Sequence, residues 1–345
     1  MRAMILEHPV AGDASPWRPL EAREMDTPVP GDDELLVRVR VCGVCRTDLD
    51  LAEGRLVPPN YPVIPGHQVV GHVAAVGKRA SGFREGDRVG VAWIHSADGT
   101  CTWCLRGEEN LCPHFRATGS DVNGGYAEYA TVPAAFAHGI PSSLSDEDAA
   151  PLLCAGAIGW RSLGLTNLRR GEPLALTGFG ASAHLVLQFA LRRFPESPVY
   201  VFARKSVERD FARSLGAAWA GDIGEPPPEK LGAAIDTTPA WTPVLSALEV
   251  LQPGGRIVIN AIRKDERFQK ELLQLDYAKH LWMEREIKSA ANVTRRDVRE
   301  CLEAASEWGI RPTARVMELN HVNDALDAMR KGEVGRGAIV LRIES

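Results

Sequence analysis

The sequence has no long hydrophobic run. Its longest apolar stretch, around Pro151 to Trp160, is far short of the roughly 20 residues a membrane helix needs, which excludes a spanning segment. The opening Met1-Arg2-Ala3-Met4-Ile5-Leu6 runs into Glu7-His8-Pro9 too soon for a signal-peptide apolar core, so the cytoplasm is the expected compartment. Positive charge is not in surplus. The net charge is -5 and the pI about 6.0, which gives neither nucleic acid nor an anionic membrane an electrostatic reason to bind. Cysteine is scarce and odd in number, seven in 345 residues, and that excludes a disulfide framework. Internal repeats are absent too. With 45% apolar and 25% charged residues, the composition fits a packed soluble chain, and the length predicts two domains.

What is present changes character along the chain. Residues 35–41, 69–76, 87–93 and 126–132 are short, rich in Val, Leu, Ala and Tyr, and bounded by Gly, Pro or Asp; they read as strands of a mostly-β region. After Pro151 strands alternate with helices: strand 174–177, helix 185–191, strand 199–202, helix 206–215, strand 233–236, helix 242–251 and strand 256–259. This is the pattern of βαβ units around a parallel sheet. Two further helices, 295–308 and 321–331, and a strand, 338–342, close the chain.

Gly178-Phe179-Gly180-Ala181-Ser182-Ala183 fits G-x-G-x-x-A. Gly178 turns the chain from strand to helix, Gly180 lets backbone approach a pyrophosphate, and Ala183 keeps helix and strand close. Diphosphate would sit at the helix N-terminus. An NAD site expects an acid at the end of the second strand, to bind the ribose 2′-OH. That acid is missing here; Arg204 and Lys205 stand in its place and suit a 2′-phosphate. NADP(H) is therefore favoured over NAD(H).

Three of the seven cysteines fall within twelve residues: Asp98-x2-Cys101-x2-Cys104-x7-Cys112. Close-set thiolates in a cytosolic chain point to metal, and Asp can complete a tetrahedral zinc site, though it is a harder ligand than its neighbours. His95 is a less well spaced substitute. Cys42-x2-Cys45 could be read as a redox pair, but its place at a strand end favours a ligand with a buried neighbour. Local spacing joins Cys45, His67 and Cys154 to nothing; only the fold could bring them together.

At Gly43-Val44-Cys45-Arg46-Thr47-Asp48, Pro65-Gly66-His67, Cys101 to Cys112, Gly124-Gly125-Tyr126-Ala127-Glu128-Tyr129, Leu153-Cys154-Ala155-Gly156, the Gly178 turn and Gly335-Arg336-Gly337, the chain resembles the zinc-dependent medium-chain alcohol dehydrogenases of the MDR superfamily. The bacterial, propanol-preferring type active on simple primary alcohols is the nearest in pattern. The resemblance implies an α/β architecture: a GroES-like, mostly-β catalytic domain (1–152 and 289–345) and a Rossmann doubly wound parallel-sheet cofactor domain (153–288). It implies Cys45, His67 and Cys154 as ligands of a catalytic zinc, and Asp98, Cys101, Cys104 and Cys112 as ligands of a structural one. Thr47 would hydrogen-bond the alcohol, Asp48 would orient His67, and Asp50 stands where many members carry a relay His. Arg46 and Arg336 match cofactor-phosphate contacts, and Trp93 a wall of the substrate pocket. Gln68 replaces the family's usual Glu.

Two zinc ions per chain, a nicotinamide cofactor, a small alcohol or aldehyde substrate and a homodimer or homotetramer are the corresponding expectations. Two thiolates and an imidazole would leave the first zinc an open position, the mark of a catalytic site, where an alcohol loses its proton more readily. Alternatives are a polyol or sugar dehydrogenase of the same superfamily and a metal-free NADPH-binding, reductase-like protein. The intact Cys45, His67 and Cys154 set argues against the last.

Overall fold

A computed structural model describes residues 1–12 and 14–343. The chain divides into two compact units. One comprises Met1–Ala157, Asn292–Ser306 and the chain from Pro312 onward; the other comprises Ile158–Ala291 and Glu307–Arg311.

The first unit is built on a mostly antiparallel sheet that includes Glu34–Val44 among its inner strands. That strand's sequence alternates, with Val37, Val39 and Val41 buried and Arg38 and Arg40 exposed, as a strand with one solvated face requires. Val69–Val76 pairs along most of its length with Cys42 opposite Val69, Tyr129–Pro133 pairs with its first half, and Ala338–Arg342 pairs with its last residues. The strand Glu34–Val44 thus ends one residue before Cys45, and its neighbour begins two residues after His67. A main-chain bond from Gly43 N to Gln68 O (2.9 Å) ties those two strand ends together.

Cys154 was expected at the start of the alternating region. It lies instead in a widened π-type turn, Leu152–Gly156, between the helices Asp146–Pro151 and Ala157–Leu165. That turn stays with the first unit because it packs there. Cys301 Sγ donates to Leu152 O (3.7 Å), and a Cβ added at Gly156 would stand 3.0 Å from the same sulfur. The first unit runs to Ala157 before the chain enters the second.

The second unit holds a six-stranded sheet, all parallel, in the order Trp219–Gly221, Val199–Phe202, Leu174–Thr177, Leu231–Asp236, Leu251–Ile259, Glu286–Ser289. Numbered along the chain this is 3-2-1-4-5-6, the doubly wound order with its switch point between the first and fourth strands. The three innermost strands read as unbroken apolar runs and are buried throughout, because helices cover both faces of such a sheet.

Candidate metal centres and dinucleotide turn

The two strand ends and the π turn bring Cys45, His67 and Cys154 together, with one ligand atom of each within 4.8 Å of the others. Cys45 both follows the strand Glu34–Val44 and caps the short helix Arg46–Ala52, a helix start that the reading of Cys42-x2-Cys45 had not placed there. Asp48, at the third position of that helix, is 1% exposed and is the organising group. Its Oδ2 accepts from Cys45 N (2.8 Å) and Tyr126 Oη (2.9 Å), its Oδ1 accepts from Gly66 N (3.3 Å), and His67 Nδ1 stands 3.2 Å from Oδ1. The ring thus stands beside the carboxylate with one ligand nitrogen within 4.8 Å of both sulfurs. Tyr126 had no role in the sequence reading. Gly66 has φ +96, and an added Cβ would lie 2.5 Å from the Tyr126 ring, so only glycine lets Tyr126 reach Asp48.

His67 is fully buried, and neither of its ring nitrogens makes a hydrogen bond among the described residues, although Nδ1 lies 3.2 Å from Asp48 Oδ1. A buried, orphaned imidazole nitrogen beside two cysteine sulfurs 3.9 Å apart is the donor set of a soft or borderline divalent metal, and zinc fits it. The Cys154 thiol and the buried imidazole beside Cys45 pull the Cys45 pKa well below its usual range, while the proton shared in that pair and burial push Cys154 up. Burial lowers the pKa of His67, but Asp48 and the Cys45 sulfur outweigh it and lift it to about 10. Metal binding would release these protons, as coordination requires. Thr47 Oγ1 lies 3.6 Å from Cys45 Sγ. Trp93 meets the His67 ring edge-on at 4.8 Å between centroids and donates Nε1 to Asn292 Oδ1 (2.9 Å). Asp50 is buried, with Oδ1 accepting from Arg55 Nε (2.7 Å). Gln68 is buried against Gly43.

Asp98, Cys101, Cys104 and Cys112 form a second set, also with ligand atoms within 4.8 Å. His95 is not in it; its Nδ1 faces Ser96 Oγ at 3.3 Å. The Cys101 main-chain N–H, then His114 and the Thr100 N–H, hold the Asp98 carboxyl well below the usual carboxylate range, so it stands ready as an anionic ligand.

In the second unit Gly178 turns out of the first strand with φ +79, where an added Cβ would meet Thr237 Oγ1 at 2.8 Å. Gly180 caps the helix Ala181–Arg193. A Cβ there would meet no atom within 4 Å, so packing does not demand glycine; an approaching diphosphate would. Ala183 is fully buried. At the switch point Asp236, fully buried, accepts from Thr177 Oγ1 (2.5 Å) and Thr238 Oγ1 (2.8 Å) and pairs with Lys264, whose Nζ also donates to Thr238 O (3.0 Å) and Ala240 O (2.9 Å). No local signal joins Asp236 to Lys264, and the sequence reading passed over both. Arg204 and Lys205 are exposed past the second strand, and Arg209 Nη1 donates to Ala203 O and Arg204 O. Arg46 and Arg336 are exposed in the first unit.

Residues 31–142 match the alcohol dehydrogenase GroES-like domain. The chain is 45% identical over 328 residues to the "Probable alcohol dehydrogenase AdhA" of Mycobacterium tuberculosis (strain CDC 1551 / Oshkosh), covering 94% of this chain and 93% of that one. It is 33% identical over 334 residues to an alcohol dehydrogenase of Geobacillus stearothermophilus, covering 94% and 96%. The structure is similar to that of a cobalt- and zinc-bound thermostable alcohol dehydrogenase from Pyrobaculum aerophilum, with a TM-score of 0.87, 26% identity and 99% of each chain covered.

Proposed function

The chain belongs to the GroES-like, medium-chain alcohol dehydrogenase family, and from that premise we propose that it is a zinc enzyme for small primary alcohols and their aldehydes that prefers NADP(H) and holds two zinc ions. As a member it is an oxidoreductase that moves a hydride between an alcohol or aldehyde and a nicotinamide cofactor. The observation that carries the zinc reading is the convergence of Cys45, His67 and Cys154 around a buried imidazole whose ring nitrogens make no hydrogen bond among the described residues.

When bound, zinc supplies Lewis acidity to an alcohol or carbonyl oxygen, and the nicotinamide supplies or takes the hydride. Cys45, His67 and Cys154 would hold the first ion, and Asp48 keeps the His67 ring in the orientation and tautomer that present Nε2. Thr47 Oγ1, beside Cys45, would take up the proton of the substrate hydroxyl while releasing its own, and the buried Asp50 carboxylate, held by Arg55, would be the final acceptor of the released proton. Trp93, fixed through Asn292, walls the alcohol site and narrows it to slim substrates. Gly178 and Gly180 take the diphosphate at the start of a helix that Ala183 keeps close to its strand, Arg204 and Lys205 take the 2′-phosphate, and Arg46 and Arg336 further cofactor phosphate. Asp98, Cys101, Cys104 and Cys112 hold the second zinc.

No helix among the described residues is long and apolar enough to cross a membrane, and the proposed site of action is the cytoplasm. A homodimer or homotetramer would form through the edge strand Glu286–Ser289, where Ile287 is exposed and Tyr277, Trp282 and Met283 lie exposed just before it.

Steady-state kinetics with both nucleotides across primary, secondary and aromatic alcohols tests the reading. NADP is expected to give the higher kcat/KM. Arg204→Ala with Lys205→Ala should cost about 100-fold with NADP, two charge-assisted contacts at about 1.4 kcal/mol each, and leave NAD turnover nearly unchanged. Equal losses with both nucleotides would refute the 2′-phosphate assignment.

A further inference from the structure

The Asp98 loop holds a contact that its four ligands do not require. Asp98 Oδ1 accepts from two main-chain donors, Thr100 N (2.8 Å) and Cys101 N (2.9 Å). Asp98 Oδ2 lies 2.9 Å from His114 Nδ1, and the His114 main-chain N donates to Cys112 Sγ at 3.3 Å. An ionised carboxylate offers about four lone-pair sites. The two N–H groups use those of Oδ1, and the imidazole uses one on Oδ2. One acceptor site on Oδ2 is left for the metal.

We propose that His114 is the positioning residue of this metal loop: its ring N–H aims the Asp98 carboxylate so that one remaining oxygen lone pair completes a zinc site in place of a fourth thiolate. The proposal rests on the reading that the loop holds zinc. The His114 side chain is 76% exposed, and an exposed pair of this kind contributes little to folding by itself. Its effect falls on the metal, because hydrogen bonds to ligating carboxylates set their orientation and metal retention. The main-chain bond from His114 to Cys112 anchors the same residue at the other end of the ligand set, so the ring spans the loop from its last ligand to its first.

The test is the rate at which the purified, zinc-loaded enzyme gives up metal to a chromogenic chelator. Cys45→Ser, which dismantles the first centre, isolates the loop ion. On that background His114→Ala should speed zinc release by about 10–100-fold, the usual effect of losing an outer partner. His114→Asn, whose amide nitrogen can stand where Nδ1 does, should return the rate toward that of the parent. Adding His114→Ala to Asp98→Cys should change nothing, because a thiolate has no carboxylate to aim. Release at the parent rate in His114→Ala, or equal acceleration with Asp98→Cys, would overturn the proposal while leaving the zinc loop intact. A Cys45→Ser protein that carries no zinc would overturn the loop reading and the proposal with it.

Discussion

Cys45→Ser and His67→Ala are each expected to lower kcat/KM for alcohol oxidation by at least ~10³-fold, while the protein stays folded and keeps about one zinc per chain. The size follows from what each residue holds. A single hydrogen-bond donor to a developing oxyanion is worth about 10²–10³ in rate. A divalent cation is a larger local charge than any such donor, and both residues belong to a set of only three protein ligands. Cys45→Ser swaps a soft thiolate for a hydroxyl of nearly the same shape, so the loss would be chemical rather than structural. His67→Ala removes a buried imidazole whose nitrogens make no hydrogen bond among the described residues. The second set, Asp98 to Cys112, shares no residue with the first, which is why one zinc should remain. Elemental analysis and circular dichroism on the same samples check the two halves. Near-normal turnover in either variant would refute the zinc mechanism.

Much of the architecture was legible because its signals are local. Leu174–Thr177, Val199–Phe202 and Leu231–Asp236 are buried on both faces and so read as short, mostly apolar runs. The Asp98 loop was legible because its ligands sit within fifteen residues of one another. The edge strand Glu286–Ser289 was not, because all four residues are exposed and carry no alternation; its parallel register with Arg256–Ile259 makes it a strand. Trp219–Gly221 is too short to show a period. Spacing could not join Cys45, His67 and Cys154, and only the resemblance proposed them as a set. The physical cause of their meeting is a register, Cys42 opposite Val69, together with a helical π turn for which the local sequence has no marker. Tyr126 and Asp48 are 78 residues apart, and Gly66 is the one visible trace of their contact. His114 carries no local signal, because Asp98 is reached through space, sixteen residues back.

Asp48 carries the second large effect, and two substitutions separate its roles. Asp48→Ala strips the acceptor from the buried Gly66 N and Tyr126 hydroxyl and from the half-buried Cys45 N. At about 1–3 kcal/mol for each buried donor left unpaired, and with some relaxation, a loss of roughly 3–5 kcal/mol of stability is expected, read as a lowered unfolding midpoint. Asp48→Asn keeps the shape and one acceptor oxygen. Its amide must then face either the Cys45 N–H and the Tyr126 hydroxyl or the Gly66 N–H and His67 Nδ1. In the second arrangement the imidazole is driven to carry its proton on Nε2, the wrong tautomer for a ligand. Zinc retention at the first centre should fall by about 10–100-fold, with kcat/KM falling alongside and the loop zinc unaffected. Wild-type zinc affinity in Asp48→Asn, with a wild-type unfolding midpoint in Asp48→Ala, would mean that His67 is held by its packing against Trp93 rather than by the carboxylate.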